Sequence, residues 1–222
     1  MSDTYYTLGD YTRTEIKVKG SRFIAEAIRV QRVEEADAEI AAIRKREYNA
    51  THHCSAYRIG PEGALFRYND DGEPSGTAGA PILRQIDARH LTYTLVVVTR
   101  YYGGTKLGTG GLLRAYGDTA AQVLDAAPIE ERILRDRIRL RFSYDDTSPA
   151  MHTISQHDAT ILETEYTDET EILVGVRCSQ AEAFIDAFVN ALGGRGVAER
   201  VNGGEGERVK PNLLGTIRNS ED

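Results

Sequence analysis

The chain has 222 residues, of which 41% are hydrophobic and 27% charged; this composition excludes a disordered protein, and the length suits two domains of ordinary size. Its net charge is -7, so the molecule as a whole repels nucleic acid and membrane surfaces, and a polyanionic partner has to bind at a local basic patch. No run approaches the ~20 apolar residues of a membrane helix, and the first residues lack the basic start and apolar core of a signal peptide, so we expect a cytoplasmic protein without a membrane partner.

The first third of the chain predicts strands and one helix. Phe23, Ala25 and Ala27 occupy alternate positions, which is typical of a half-buried strand. The segment 33–48 has apolar residues at helical spacing, with acidic residues early and basic residues late, and predicts a helix. Two strands are predicted next, HHCSAYRIG and ALFRYN, separated by a Gly-Pro turn.

The middle of the chain predicts two further helices around one apolar strand. In DDGEPSGTAGAPI, a turn at Asp71-Gly72 precedes a helix start that Ser75 or Thr77 would cap. Pro81 suits the first turn of that helix. The clearest strand, LTYTLVVVT, leads into a glycine-rich stretch and then a helix ended by Pro128, with an apolar face of Leu112, Leu113, Tyr116, Ala120, Val123 and Leu124.

The second half of the chain predicts β-α-β-β-α-β, the ferredoxin-like order. Its elements are the strand RILRDRIRLRFSY, a helix with Ser148 as N-cap and Pro149 as first residue, two strands around a turn, a helix and a last strand in GVAERV. The second helix is predicted to open with a capping box of Ser179 and Glu182 and to close at Gly193-Gly194. The fold class is therefore α+β, with a βαβ domain over 1–127, a ferredoxin-like domain over 132–205 and a flexible tail over 206–222.

The glycine-rich stretch TRYYGGTKLGTGGLLRAYGDTA, residues 99–120, does not match known phosphate loops. Lys106 is followed by Leu107, which fails the P-loop pattern, and Leu113 fills the third glycine position of the dinucleotide fingerprint. What remains is an apolar strand, a glycine loop with basic residues, and a helix whose first amides lack intrahelical partners. That arrangement favours an anion or a phosphodiester as ligand.

The sequence therefore predicts a basic groove that binds nucleic acid or another anion. Its candidate residues are Arg100, Tyr101, Gly103, Gly104, Thr105, Lys106, Gly108, Gly110, Gly111 and Arg114, with His52, Ser75, Gly76 and Thr77. Tyr101 and Tyr102 offer flat faces for stacked bases, whereas we expect Tyr116 to lie in the core. The alternative is a tight crossover in which the glycines only let strand and helix pack closely, with Arg100 and Lys106 solvated.

Two further clusters have a chemical and a purely structural interpretation. Asp70, Asp71 and Glu73 could hold Mg²⁺ as hard oxygen ligands, or the segment could be a turn before a capped helix. His52 and Cys54 share one face of a strand, but the spacing needed for a zinc site is missing. We predict no resident metal, no cofactor and no catalytic residue, and we expect Cys54 and the distant Cys178 to be free buried thiols.

Three motifs carry a resemblance to a known family. HHCSAYR, NDDGEPSGTAGAPIL and VVVTRYYGGTKLGTGGLLRAYGDTA are similar to the three signature blocks of the Impact/YigZ family, in the same order. The resemblance covers residues 1 to about 127, and the C-terminal segment resembles the small second domain of bacterial members. It implies an N-terminal domain with the fold of the fourth domain of elongation factor G and a second domain similar to the fifth.

The resemblance also implies a role in translation. Eukaryotic relatives restrain the amino-acid-starvation kinase by competing for its ribosome-associated activator, but they carry an RWD-type domain that is missing here. For this chain we expect a non-enzymatic regulator, linked to translation and stress response, that binds nucleic acid, the ribosome or a translation factor. The alternative is a metal-dependent enzyme acting on a phosphorylated small molecule or a peptide, with Asp70, Asp71 and Glu73 as ligands. The oligomeric state stays open.

Overall fold

The computed structural model describes residues 3–201, and the chain divides between Leu134 and Arg135 into two compact units. The predicted tail over 206–222 lies outside the described residues. Both units combine helices with antiparallel sheets, so the predicted α+β class is confirmed. In the described part of the chain, no helix is long and apolar enough to cross a membrane.

Unit 1 is built on a five-stranded antiparallel sheet with helices on both faces. Its elements are β1 Thr4–Leu8, β2 Thr12–Val18, β3 Ser21–Arg29, α1 Val33–Arg46, β4 His52–Ile59, β5 Leu65–Asn69, α2 Gly79–Ala88, β6 Thr94–Tyr101, α3 Gly108–Ala126 and β7 Ile129–Ile133. The sheet order is β2-β3-β6-β4-β5, and β1 pairs with β7 in a separate ribbon. The apolar strand β6 is thus central, and its end carries the glycine-rich stretch.

Side-chain alternation along the central strands assigns residues to two cores. Val96 and Val98 of β6 pack with α2 and α3, together with Phe23 and Cys54 of the neighbouring strands. Leu95 and Val97 point the other way and share a core with residues of α1. The buried face predicted for α3 is confirmed except at Leu113, which is exposed.

Unit 2 has the predicted ferredoxin-like topology. Its elements are β8 Arg135–Phe142, α4 Thr147–Gln156, β9 Thr160–Tyr166, β10 Thr170–Arg177, α5 Ala181–Ala191 and β11 Val197–Arg200. The sheet order β11-β8-β10-β9, antiparallel throughout, places the first and third strands of the unit at its centre. Phe142, Phe184 and Phe188 lie in the core between this sheet and its helices.

Several predicted boundaries are wrong for local reasons. The segment predicted as one strand, RILRDRIRLRFSY, is split at Leu134, because β7 pairs with β1 while β8 joins the sheet of unit 2. The N-cap position of α4 is Asp146 rather than Ser148, and that of α5 is Gln180 rather than Ser179, because a short 3-10 turn precedes each helix; neither side chain makes a capping hydrogen bond. The predicted end of α5 is confirmed, since Gly193 and Gly194 have positive φ.

Candidate functional site

The glycine-rich stretch forms an exposed loop and the first turn of α3. Strand β6 ends at Tyr101 and α3 begins at Gly108, four residues before Leu112, the first residue of the apolar face predicted for this helix. Gly108, Thr109 and Gly110 are exposed, and no side chain caps the helix. The first amides of α3 therefore lack both intrahelical acceptors and a capping side chain, as an anion site requires.

The glycines of this stretch serve different purposes. A Cβ on Gly103 would lie 1.9 Å from the carbonyl carbon of Gly20, so Gly103 allows the backbone to touch the turn between β2 and β3. Gly104 and Gly108 have φ of 83° and 70°, a conformation that favours glycine. Neither constraint applies to Gly110: its φ is not positive, and a Cβ at this position would meet nothing within 4 Å. Close packing, the structural alternative, thus explains Gly103 but not Gly110.

We call residues 102–111 with Arg114 the glycine surface. Thr105, Lys106 and Arg114 are exposed on it, and Arg114 shares a face of α3 with Gly110, four residues earlier. Within the described residues, the side chains of Lys106 and Arg114 make no hydrogen bond or ion pair. Gly111 lies in the first turn of α3, and a Cβ on it would lie 3.1 Å from the Leu107 side chain. The surface thus offers two cations and open backbone to a ligand.

Arg100 is not part of this exposed surface. Its side chain is 5% exposed, and its Nη1 donates to Oε1 of Glu73 at 2.6 Å. The same Oε1 accepts the Tyr116 hydroxyl at 2.7 Å, and His52 Nε2 lies 3.8 Å away. The solvated Arg100 of the structural alternative is therefore wrong, because a carboxylate 27 residues earlier in the chain pairs with it inside the fold. The core position expected for Tyr116 is confirmed.

The Cys54 thiol and the Tyr116 hydroxyl are buried on the same side of the sheet as this cluster. His52 pairs with Arg100 across β4 and β6, so both side chains point to the α2 and α3 side of the sheet. Burial raises the pKa of the Cys54 thiol, and burial likewise raises the pKa of Tyr116. The Cys54 thiol donates to the carbonyl of Asp70. Cys54 thus has the character of a structural thiol rather than a nucleophile.

The second motif forms a loop organised by Asp70. Its carboxylate accepts the backbone N–H groups of Gly76, Ala78 and Gly79 at 2.8, 3.0 and 2.8 Å. Two of these amides lie at the start of α2, which has Ala78 as its N-cap residue. The predicted cap by Ser75 or Thr77 is wrong, since Asp70 satisfies these amides from a distant position.

The side chains predicted from this loop have different environments. Ser75 is exposed, whereas Thr77 is buried and donates its hydroxyl to the carbonyl of Pro74. Asp71 binds Arg44 and the backbone N–H of His53, both at 2.7 Å. All three candidate metal carboxylates thus have partners inside the protein. The described residues contain no group of three or more His, Cys, Asp or Glu side chains suited to a metal ion.

Tyr101 and Tyr102 are in unlike surroundings although they are adjacent. The hydroxyl of Tyr101 donates to Glu47 at 2.7 Å, and the Arg22 guanidinium lies 4.3 Å from its ring centroid. This hydrogen bond lowers the pKa of Glu47 and raises that of Tyr101. Tyr102 is exposed, and its backbone N–H donates to Thr51 Oγ1.

Sequence reasoning missed the turn that supports the glycine surface. Lys19 and Gly20 form the tight turn between β2 and β3, and Ser21 Oγ accepts the N–H of Gly103 at 3.2 Å. Strand β2 was missed because only Ile16 and Val18 supply its apolar pattern. A Lys-Gly pair before the alternating strand was the signal that could have revealed this hairpin.

A separate cleft of about 410 Å³ lies elsewhere in unit 1. It is lined by β1, the turn after β4 and the end of α2, including Tyr6, Arg58 and Asp87. Arg58 and Asp87 pair with each other at 2.7 Å. None of the predicted site residues lines this cleft, so it is distinct from the glycine surface.

Comparison with known proteins gives the family. Residues 19–124 match the Impact N-terminal domain, and residues 140–195 match a domain of unknown function, DUF1949. The chain is 36% identical over 195 residues to the IMPACT family member YvyE of Bacillus subtilis (strain 168), with 88% of this chain and 90% of the relative covered. The chain belongs to the IMPACT family. The resemblance carried by the three motifs is thereby confirmed.

Other members of the IMPACT family match as well. The chain is 34% identical over 152 residues to the IMPACT family member YigZ of Escherichia coli (strain K12), covering 68% of this chain and 74% of that one. A crystal structure described as that of a hypothetical protein superimposes with a TM-score of 0.67 at 27% identity, over 91% of this chain and 99% of the other. All three motifs lie within the match to the Impact N-terminal domain.

Proposed function

We propose that this IMPACT family member is a non-enzymatic regulator linked to translation that binds RNA through the glycine surface. The observation that carries the proposal is the pairing of an uncapped, glycine-lined start of α3 with Lys106 and Arg114, two cations without partners among the described residues. Backbone amides and free cations together favour phosphate oxygens.

Gly110 supports an external ligand in particular. Glycine in a helix costs about 1 kcal/mol relative to alanine, and nothing inside the protein requires it at this position. A ligand that approaches the backbone closely would account for the missing side chain. Because the net charge of the chain is -7, most of its surface repels RNA, and RNA can bind only at a local cationic patch of this kind.

The translation link rests on the family. The chain is 32% identical over 93 residues to the Protein IMPACT homolog of Saccharomyces cerevisiae (strain ATCC 204508 / S288c), and the match covers 36% of that relative. The resemblance implies that eukaryotic members act on translation through a ribosome-associated protein. Since this chain matches only part of the yeast relative, we carry over a translation-linked role and not that partner.

The metal-dependent enzyme is not favoured by any observation. Asp70, Asp71 and Glu73 are each held by amides, an arginine or a tyrosine hydroxyl, so none of them has the open coordination that a catalytic metal requires.

The test is the salt dependence of RNA binding. Anisotropy of a labelled single-stranded RNA, titrated with protein at several salt concentrations, should give a log affinity that falls by about 0.7 per released counterion. Lys106→Ala and Arg114→Ala should each lower the slope by about that amount, because each removes one phosphate contact. Arg84→Ala is the matched control, since Arg84 is an exposed arginine on α2. An absence of RNA binding, or equal slopes in all four proteins, would contradict the proposal, and capture of a translation factor without RNA would replace RNA by a protein partner.

A further inference from the structure

Tyr102 is the large aromatic side chain at the edge of the glycine surface. It is 47% exposed, and its hydroxyl makes no hydrogen bond within the described residues. Its backbone is nevertheless fixed, because its N–H donates to Thr51 Oγ1 at 3.2 Å. An exposed ring on an anchored backbone loses little conformational freedom when a ligand covers it.

A buried cation lies against this ring. The Arg100 guanidinium carbon is 5.5 Å from the Tyr102 centroid and 5.4 Å from the Phe23 centroid, so Arg100 lies close to both rings. Glu73 holds Arg100 from inside the fold, and the buried Nε of Arg100 has no partner among the described residues. Arg100 therefore lies between the buried ring of Phe23 and the exposed ring of Tyr102 and supports Tyr102 from the protein side.

From this arrangement we propose that Tyr102 is a stacking platform for an unpaired base, so that the ligand of the glycine surface is single-stranded RNA rather than duplex RNA. The inference rests on the proposed function. Lys106 lies four residues further on and supplies a cation for the phosphate of a nucleotide whose base covers Tyr102. Bases in a duplex are already stacked on their neighbours and expose only their edges, so a duplex cannot use the platform.

The experiment uses the absence of tryptophan from the chain. Because the sequence has no Trp, the Tyr102→Trp variant of the full chain carries a single tryptophan, at the platform. It is titrated with three probes: oligoadenylate, an RNA duplex of equal length and inorganic polyphosphate. We expect oligoadenylate to quench the tryptophan emission through stacking, and the duplex to bind more weakly.

Alanine and phenylalanine variants then separate stacking from charge. Tyr102→Ala should weaken oligoadenylate binding by about 5- to 150-fold, the range measured for the loss of one stacking aromatic, and should leave polyphosphate binding unchanged. Tyr102→Phe should bind as the wild type does, because the ring and not the hydroxyl makes the contact. Tyr48→Ala is the control, since Tyr48 is 75% exposed and lies after α1.

The outcomes distinguish the two proposals. If Tyr102→Ala binds oligoadenylate as tightly as the wild type, or the duplex binds as tightly as the single strand, the platform is wrong and the RNA-binding function stands. If neither RNA probe binds the wild type, the proposed function fails and the platform fails with it. Loss of polyphosphate binding in Tyr102→Ala would also overturn the platform, since it would show that the ring supports the loop rather than a base.

Discussion

Two glycine-to-alanine substitutions in the same stretch should have opposite effects on stability. In Gly103→Ala the new Cβ would lie 1.9 Å from the carbonyl carbon of Gly20 and 2.3 Å from the backbone nitrogen of Ser21, so one backbone segment has to move. Overpacking of this kind costs about 1 to 3 kcal/mol, and the hydrogen bond from Gly103 to Ser21 Oγ is worth about 1 kcal/mol more. We therefore expect Gly103→Ala to lower the free energy of unfolding by about 2 to 4 kcal/mol.

Gly110→Ala should instead raise the free energy of unfolding. A Cβ at this position meets no atom within 4 Å, and replacing a helical glycine by alanine gains about 0.5 to 1 kcal/mol. The two substitutions are chemically identical, so each controls for the other.

Urea unfolding followed by circular dichroism measures both variants, and hydrogen exchange in β6 reports unit 1 separately. The reasoning is refuted if Gly103→Ala unfolds within about 0.5 kcal/mol of the wild type, a change expected of ordinary surface positions. It is equally refuted if Gly110→Ala is clearly destabilised, because its Cβ would then meet something that the structure leaves open.

Three other predictions concern the loop, the pH response and the thiols. Asp70→Ala leaves three amides without their acceptor and should cost about 2 to 4 kcal/mol, seen as lost hydrogen-exchange protection at the start of α2; unchanged protection would contradict its capping role. Glu47 has a lowered pKa in the fold, so its stabilising contribution is present above its ordinary value of 4.5 and lost as the pH falls through the lower folded value. Glu47→Gln should therefore destabilise the protein at neutral pH and lose that effect in acid. If the difference in unfolding free energy between the variant and the wild type does not change with pH, the ionised Glu47 carboxylate is not the source of the stability. Ellman's reagent should leave Cys54 unmodified in the native protein and react with the partly exposed Cys178 first, whereas rapid reaction of both thiols would show that Cys54 is accessible.

Periodicity in the sequence predicts the elements that bury one face. The buried face of α3 follows from apolar residues at helical spacing, and the order of elements in unit 2 follows from alternation and turn residues. Leu113 was placed on the wrong face because an apolar side chain in a helix is not always buried; it lies beside the exposed Gly110 and Arg114 positions.

Partners that are distant in the sequence could not be predicted from it. The cap of α2 comes from Asp70, which lies eight and nine residues before the amides it accepts, whereas capping rules consider only neighbouring residues. The pairing of Arg100 with Glu73, 27 residues earlier, likewise has no signal in the neighbouring sequence. The break at Leu134 arises from pairing of β7 with β1 at the other end of unit 1, and strand pairing over such a separation leaves no local signal.

One carboxylate ties the three family motifs together. Glu73 of the second motif accepts from Arg100 and Tyr116 of the third, and His52 of the first lies 3.8 Å from it. Replacing Glu73, Arg100 or Tyr116 alone would leave a buried charge or hydroxyl without its hydrogen-bond partner. The motifs should therefore be inherited as a set: a relative that replaces Glu73 is expected to change Arg100 and Tyr116 too, and a chimera that exchanges one block alone should fold poorly until the other blocks are exchanged with it.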